Sequence, residues 1–505
     1  MPASSAAPAA PAAPAVFAAT APPAAAPLPA DRRAYALLLA LLLLSLLTAA
    51  LTRGTFDSGD SIYHFQFAQY AFKHPHNLME SWSKPLVVAL MAGPAQLGLR
   101  GVMVLQCLLV AAAAALAYRA ARELRLPWPW LAIAACYAAP DYFLMQFSGL
   151  TEPLFSLLLV AGVTLALVRR PALGAAVLSW LPMARSEGFL LLGVYGLYLL
   201  LSRQWRALPW LGLGFGFYGL LGLAVYHDFF WLLTQNAYPL YNLNYAFARG
   251  NNHASHFLLG LADTFGWVQF GLFWLGALAV AAGLARPVWR HRQPRLLAET
   301  VLVYGSIVVF IGAHTIFWVY GIFGSIGLVR VLCSLMPLLS LVVLRGVQLL
   351  ADLVPAPRRR LLRLGLLAAI VWFPFSGSRV GLRWQRDFGQ AADQQVLDAA
   401  ARWVRQQPRQ PPLVVYSHPY AATALGLDPF AANRVRFVSL LDSNWPLPAG
   451  ALLVWDEWYA TVEDRTPFEL LAQNPAYRIR WQQTQPRNPR KPTEDLVRVV
   501  IFEKQ

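Results

Sequence analysis

Hydrophobic positions along this chain come in long runs. They neither alternate nor form a one-sided helical stripe. From Tyr35 to Phe375, apolar stretches recur between short polar breaks. Runs of that length and purity predict membrane-spanning helices. We place the first from about Tyr35 to Leu51, and a second from Pro85 to near Tyr118. A third runs from about Pro127 to Tyr142, and a fourth from Thr151 to Arg169 and Arg170. A short fifth reaches Arg185, a sixth ends at Arg203 and Arg206, and a seventh covers about Leu208 to Tyr226. The eighth ends at Arg286, Arg290, His291, Arg292 and Arg295. The ninth spans about Val301 to Tyr320 and the tenth about Val331 to Val343, followed by Arg345 and Arg358 to Arg360. The eleventh covers about Leu364 to Phe375. Several runs fall short of the ~20 residues needed to cross hydrocarbon. Those near Pro140, Pro153 and Pro182 are expected to be broken or tilted.

The pattern changes at both ends. Residues 1–30 are nearly all Ala and Pro, an expected disordered tail. After Gly377 the polar fraction rises and short β-rich runs appear: Leu413 to Tyr416, Val435 to Leu440, Leu452 to Trp455 and Val497 to Phe502. A helical stretch, Gln390 to Arg405, precedes them. The expected fold is therefore mostly α: a polytopic bundle of about eleven helices over 31–377 with a small α/β domain over 378–505.

Charge orients the bundle. Arg32 and Arg33 precede the first run, and later basic clusters fall on alternate loops. The positive-inside rule then places the N-terminus in the cytoplasm and the C-terminal domain outside it; the expected location is a bacterial inner membrane. The first helix is expected to stay uncleaved despite its resemblance to a signal peptide. A formal charge of +16 is explained by these loops, which excludes nucleic acid as the partner. With 57% hydrophobic and 13% charged residues, the composition excludes a soluble globular protein. Cys107, Cys136 and Cys333 are scattered in apolar runs, so neither a metal motif nor a disulfide framework is expected.

Two polar loops, 52–84 and 227–256, lie on the outer side of that topology. The first holds Asp57, Asp60, His64, Lys73, His74, His76, Glu80 and Lys84, with Tyr63, Tyr70 and Trp82. Ionisable groups near hydrocarbon cost several kcal/mol unless paired or wet, so they mark sites. Asp57 and Asp60 can take a proton from a hydroxyl or hold a divalent cation such as Mg or Mn. They can equally form a turn that caps the next helix. His64 follows Asp60 by one helical turn. Lys84 before Pro85 can meet a lipid phosphate or snorkel. Thr151 and Glu152 open a helix before Pro153; Thr151 suits an N-cap and Glu152 the helix dipole. Arg185 and Glu187 can neutralise each other, or Arg185 can offer a fork to phosphate. Arg249 and His253 lie in the second loop, and Arg330 opens the tenth run. No phosphate-binding P-loop and no GxSxG elbow occur.

These motifs, in this order, resemble the GT-C type of integral-membrane glycosyltransferase: Asp57 and Asp60, Trp82-Ser-Lys84-Pro85, Thr151-Glu152-Pro153-Leu154-Phe155, Ala184-Arg185-Ser-Glu187-Gly188, and Arg330 with Pro337. The family's acids often stand adjacent or one apart; here two residues separate them. The resemblance implies a polyprenyl-phosphate-linked sugar donor, a mannose-like hexose, and a glycan, lipid or protein acceptor. It implies inversion, with Asp60 or Asp57 as base. His64, Lys84, Glu152, Arg185, Glu187, His253 and Arg330 are expected to hold substrate. Two rivals are a flippase for lipid-linked glycans, which would place charges at the midplane of repeated broken helices, and a non-enzymatic membrane scaffold.

Overall fold

The computed structural model describes residues 31–235, 253–284, 295–372, 381–433, 435–437, 447–487 and 495–505. The Ala/Pro tail, Arg249 and the boundary expected at Gly377 lie outside them.

Helix α1 (Arg32–Leu51) starts where the Asp31 carboxylate accepts the Arg33 amide at 3.1 Å. Leu39, Leu43, Leu47 and Leu51 then stand outward at four-residue spacing, each more than half exposed. Such a row would be untenable in water and suits lipid. Among the described residues six helices are long and apolar enough to cross a membrane: α1, then Leu99–Glu123, Trp205–Tyr226, His256–Gly283, Leu296–Tyr320 and Val329–Leu353. Pro85–Ala95, Pro171–Ala184 and Gly188–Leu201 are apolar but shorter. The protein is a multi-pass membrane protein, and each expected run meets a described helix.

Within the polar loop 52–84, the helix expected after the Asp57–Asp60 turn is present as α2 (Asp60–Gln69). Two details differ from the hydropathy reading, each for a local reason. The second run is two helices, α3 (Pro85–Ala95) and α4 (Leu99–Glu123). Pro94 and a left-handed Gly98, φ 78°, part them. Alone, α3 is too short to span, and it packs on α2 and α4. As expected near Pro140 and Pro153, Pro140–Phe147 and Glu152–Leu167 meet at an angle, 116°, with the break centred on the Ser148–Thr151 loop. Arg345 is not a loop residue: it lies inside Met336–Leu353, fully buried against Glu299.

The C-terminal region is a five-stranded sheet of order β2-β1-β3-β5-β4. β1 (Val414–Tyr416) runs parallel to β2 (Val435–Phe437) and β3 (Leu452–Asp456). β5 (Leu496–Lys504) lies antiparallel between β3 and β4 (Tyr477–Pro486). Alternate residues feed two apolar layers: Val414, Tyr416, Val499 and Ile501 face Val396, Leu397 and Ala400 of the Ala392–Arg405 helix. Leu413, Val415, Val500 and Phe502 face Leu471. β4 was not expected, because its run RIRWQQTQP alternates exposed and half-buried positions at the sheet edge and carries little hydrophobic signal.

This sheet unit docks on α2. Gln66 donates to the Pro419 carbonyl at 2.8 Å and to Thr423 Oγ1 at 3.0 Å. Lys73 and His74 meet Asp428 at 2.6 and 2.9 Å. Phe430 packs among Phe67, Tyr70, His74 and His76. The two histidines thus belong to this junction.

Candidate functional site

The site grows from the turn before α2. Asp57 Oδ1 accepts the Gly59 and Ser61 amides at 3.1 and 3.0 Å, so the capping role is real. Its other oxygen is left for Arg330, whose guanidinium bridges Asp57 and Asp60. Arg330 comes from the first turn of the Val329–Leu353 span, far along the chain.

A second arginine joins the same network. The Ser148–Thr151 loop presses on α2 so closely that a Cβ on Gly149 would collide with the Ser61 carbonyl. That approach brings Glu152 beside Arg330, with Nε 4.0 Å from Glu152 Oε1. Arg185 donates to Glu152 Oε1, Thr151 Oγ1 and Glu187 Oε1, each at 2.9 Å. Thr151 therefore does not cap its helix; its hydroxyl accepts from Arg185.

The cluster is incompletely satisfied. Glu152 Oε2 and Arg330 Nε are buried without hydrogen-bond partners. Unmet buried polar groups usually mark a ligand or water position. Exposure is graded: the Glu152 side chain is 1% exposed, Arg330 14%, Asp57 23% and Asp60 39%. Asp60 is the acid open to solvent.

Around this core stand the remaining expected residues. Lys84 is buried at φ 66°, a strained conformation for a side chain bearing a Cβ. Its Nζ donates to the Ser81 carbonyl at 2.8 Å and to Ser186 Oγ at 3.0 Å. Burial lowers its pKa to about 8, and Arg185 adds to the fall while Glu187 and Glu80 oppose it. His64 stacks on Trp82 at 5.1 Å, and its Nδ1 meets the Asp60 carbonyl at 2.6 Å. Burial holds it below the ordinary histidine value against the Asp60 and Glu152 charges. A neutral ring with Nδ1–H donating fits both facts. Burial would raise the Glu187 carboxyl, but Arg185 and His314 hold it well below the usual range.

His253 is not brought to the cluster. It is exposed before the His256–Leu284 helix, and among the described residues no side-chain contact links it to these groups. One participant went unnoticed in the sequence: His314, whose Nε2 lies 3.2 Å from Glu187 Oε1 among the rings of Phe257, Phe310 and Phe317. A lone histidine inside an apolar span was the available signal.

A divalent cation does not fit the Asp57–Asp60 pair as it stands. The Arg330 guanidinium already occupies the space between the two carboxylates. Among the described residues no three His, Cys, Asp or Glu side chains converge as metal ligands.

No protein-family model matches the sequence, and no curated protein matches it significantly. Solved structures do. ArnT from Cupriavidus metallidurans bound to undecaprenyl phosphate superposes with a TM-score of 0.60 at 13% identity, covering 94% of this chain and 98% of that one. The apo state of ArnT gives 0.57 at 14% identity, with 93% and 97% covered. The arabinofuranosyltransferase AftD from Mycobacteria gives 0.49 at 15% identity, covering 94% of this chain and 40% of that one. The fold is that of the GT-C type, as the motifs led us to expect.

Proposed function

We propose that the protein moves a sugar from a polyprenyl-phosphate carrier to an acceptor hydroxyl, with inversion, at the Arg330–Arg185 cluster. The observation that carries this reading is convergence. Acids from the first loop and from the 152 and 187 turns share two arginines, one from the 185 turn and one from the start of the Val329–Leu353 span. The ArnT structure bound to undecaprenyl phosphate supports the donor class. By resemblance the sugar is a hexose of the mannose kind. The sheet unit and the cluster lie on the extracytoplasmic side of a bacterial inner membrane, with the N-terminus cytoplasmic.

In this reading the carrier's hydrocarbon tail stays in lipid and its phosphate meets Arg330, Arg185 and Lys84. Asp60, the most open acid, takes the proton of the acceptor hydroxyl. The hydroxyl oxygen bonds to the anomeric carbon as the bond to phosphate oxygen breaks. Charge gathers on the departing phosphate, where preorganised cations are most effective. Arg330 has five N–H donors, enough to retain one acid while meeting the phosphate.

The test uses the full chain in nanodiscs with a polyprenyl-phosphate hexose, following release of free polyprenyl phosphate. Asp60→Asn is expected to slow release by about 10²–10⁴-fold at unchanged folded yield. Near-normal release would remove Asp60 from the chemistry. A reporter fused at the C-terminus is expected to be active only outside the cytoplasm; cytoplasmic activity would overturn the orientation.

A further inference from the structure

A cleft of about 620 Å³ separates the Asp57–Gly59 turn from the sheet unit. It is distinct from the arginine cluster but shares a wall with it, because Asp57 lines the cleft while its Oδ2 pairs with Arg330. The opposite wall carries Asp393, His418, Asp456, Trp458 and Tyr459. The two walls meet closely: a Cβ on Gly59 would collide with the Tyr459 hydroxyl.

We propose that this cleft binds the acceptor of the transfer reaction, and that the acceptor is an uncharged, hydroxyl-rich glycan. The inference rests on the transferase reading above.

Three features carry it. The first is a buried orphan. Asp456 is 2% exposed; its Oδ1 accepts the Trp458 and Tyr459 amides at 3.1 and 2.7 Å, whereas Oδ2 has no partner. A carboxylate oxygen held rigid and unmet at a cavity wall suits a donating hydroxyl. The second is aromatic surface. Trp458 stands 50% exposed at the rim, and Tyr459 packs edge-on to His418 at 4.6 Å. Exposed indole next to fixed carboxylates matches a sugar ring, which offers apolar C–H faces and hydroxyl edges.

The third feature is charge. His418 is occupied by Asp393 at 3.0 Å, and Arg487 by Asp495 at 3.1 Å. Glu457 adds negative charge, and the Asp456 carboxyl, whose pKa burial pushes up and His418 and its backbone amide partners pull down, faces the same space. An anionic acceptor would meet net repulsion at this rim, while a neutral glycan would not. The placement also suits transfer, since a sugar seated here has Asp57 at its inner edge, between the cleft and the arginine cluster.

The experiment uses saturation-transfer NMR on the full chain in nanodiscs. The probes are maltose, mannobiose and lactose, with glucose 6-phosphate as the anionic comparison. Undecaprenyl phosphate binding is measured separately on the same samples. At least one neutral disaccharide is expected to receive saturation, and glucose 6-phosphate at least tenfold less. Trp458→Ala and Asp456→Asn are each expected to weaken that signal about tenfold and to leave undecaprenyl phosphate binding unchanged. The first removes a half-exposed ring and the second keeps the shape of its site, so both test the cleft with the fold intact. No saturation of any neutral sugar, equal binding of the phosphosugar, or indifference to both variants would overturn the proposal. Sugar binding that survives while undecaprenyl phosphate fails to bind would sink the transferase reading and leave the cleft as a glycan site.

Discussion

Two ion networks are buried in the helical bundle, and they follow opposite plans. In one, Arg345 faces Glu299 as a bidentate fork, with Nε and Nη2 each 2.6 Å from a carboxylate oxygen. Its Nη1 meets Gln348 at 2.6 Å, and the paired side chains are 2% and 3% exposed. That network is closed: one cation, one anion, every direction answered. In the other, Arg330 and Arg185 are shared among Asp57, Asp60, Glu152 and Glu187, with unmet atoms and an open edge at Asp60. Both pay the desolvation penalty of charge near hydrocarbon. The closed pair locates helices relative to each other. The open one leaves bonding capacity for something absent from the protein itself, which is what a site requires.

The largest expected effect is on the closed pair. Glu299→Ala strands the Arg345 charge, and a broken buried pair costs about 3–5 kcal/mol. Folded yield and melting temperature in detergent should fall steeply, and the double change Glu299→Leu with Arg345→Met should recover most of the loss. An unchanged melting temperature in Glu299→Ala would show that the two networks do not differ in kind. Next comes Arg330→Lys, which keeps the charge but loses the fork. Undecaprenyl phosphate binding should weaken about tenfold, or ~1.4 kcal/mol, with melting within a few degrees of the parent. A melting loss as deep as that of Glu299→Ala would erase the distinction. Smaller again is Glu187→Gln, which leaves a neutral partner for Arg185 and His314. It should slow turnover about fivefold, near 1 kcal/mol, and leave the melting temperature unmoved; a large melting loss would move Glu187 into the structural class.

The same contrast explains what the sequence could disclose. Hydropathy runs located the spans, because each is long, apolar and bounded by charge. It placed Arg345 in a loop, because a single arginine near the end of an apolar run looks the same whether it exits the membrane or is answered by a distant Glu299. The open cluster was more legible. Asp57, Asp60, Glu152, Arg185, Glu187 and Arg330 all stand at run boundaries, where the price of charge makes them conspicuous. The local Arg185–Glu187 pair was legible, but the long-range pairs were not: Arg330 meets Asp57 across 273 positions, and no local spacing encodes that. His314 was missed because it sits mid-run among phenylalanines. The cleft at Asp456 was also invisible, since it exists only where the sheet unit closes on the Asp57 turn.

Lys84 gives the smallest effect and the sharpest test of openness. Arg345, a guanidinium, stays charged at every accessible pH. Lys84 is buried, donates to the Ser81 carbonyl and the Ser186 hydroxyl, and its pKa falls to about 8 although Glu187 and Glu80 oppose the fall. The direction follows from the sign. Below about 8 the ammonium is present to meet a lipid phosphate; above it, the charge is lost. The free protein's ionisation governs kcat/KM, so kcat/KM should fall as pH rises through 8, roughly threefold between about pH 7.5 and 8.5. Lys84→Arg stays charged throughout and should flatten the profile over that range, even if its absolute rate is lower. Lys84→Gln should flatten it as well, at a lower plateau. A wild-type profile level across 8, or a decline that survives in Lys84→Gln, would assign the titration elsewhere and leave Lys84 as a residue that only braces the Ser81 and Ser186 turns.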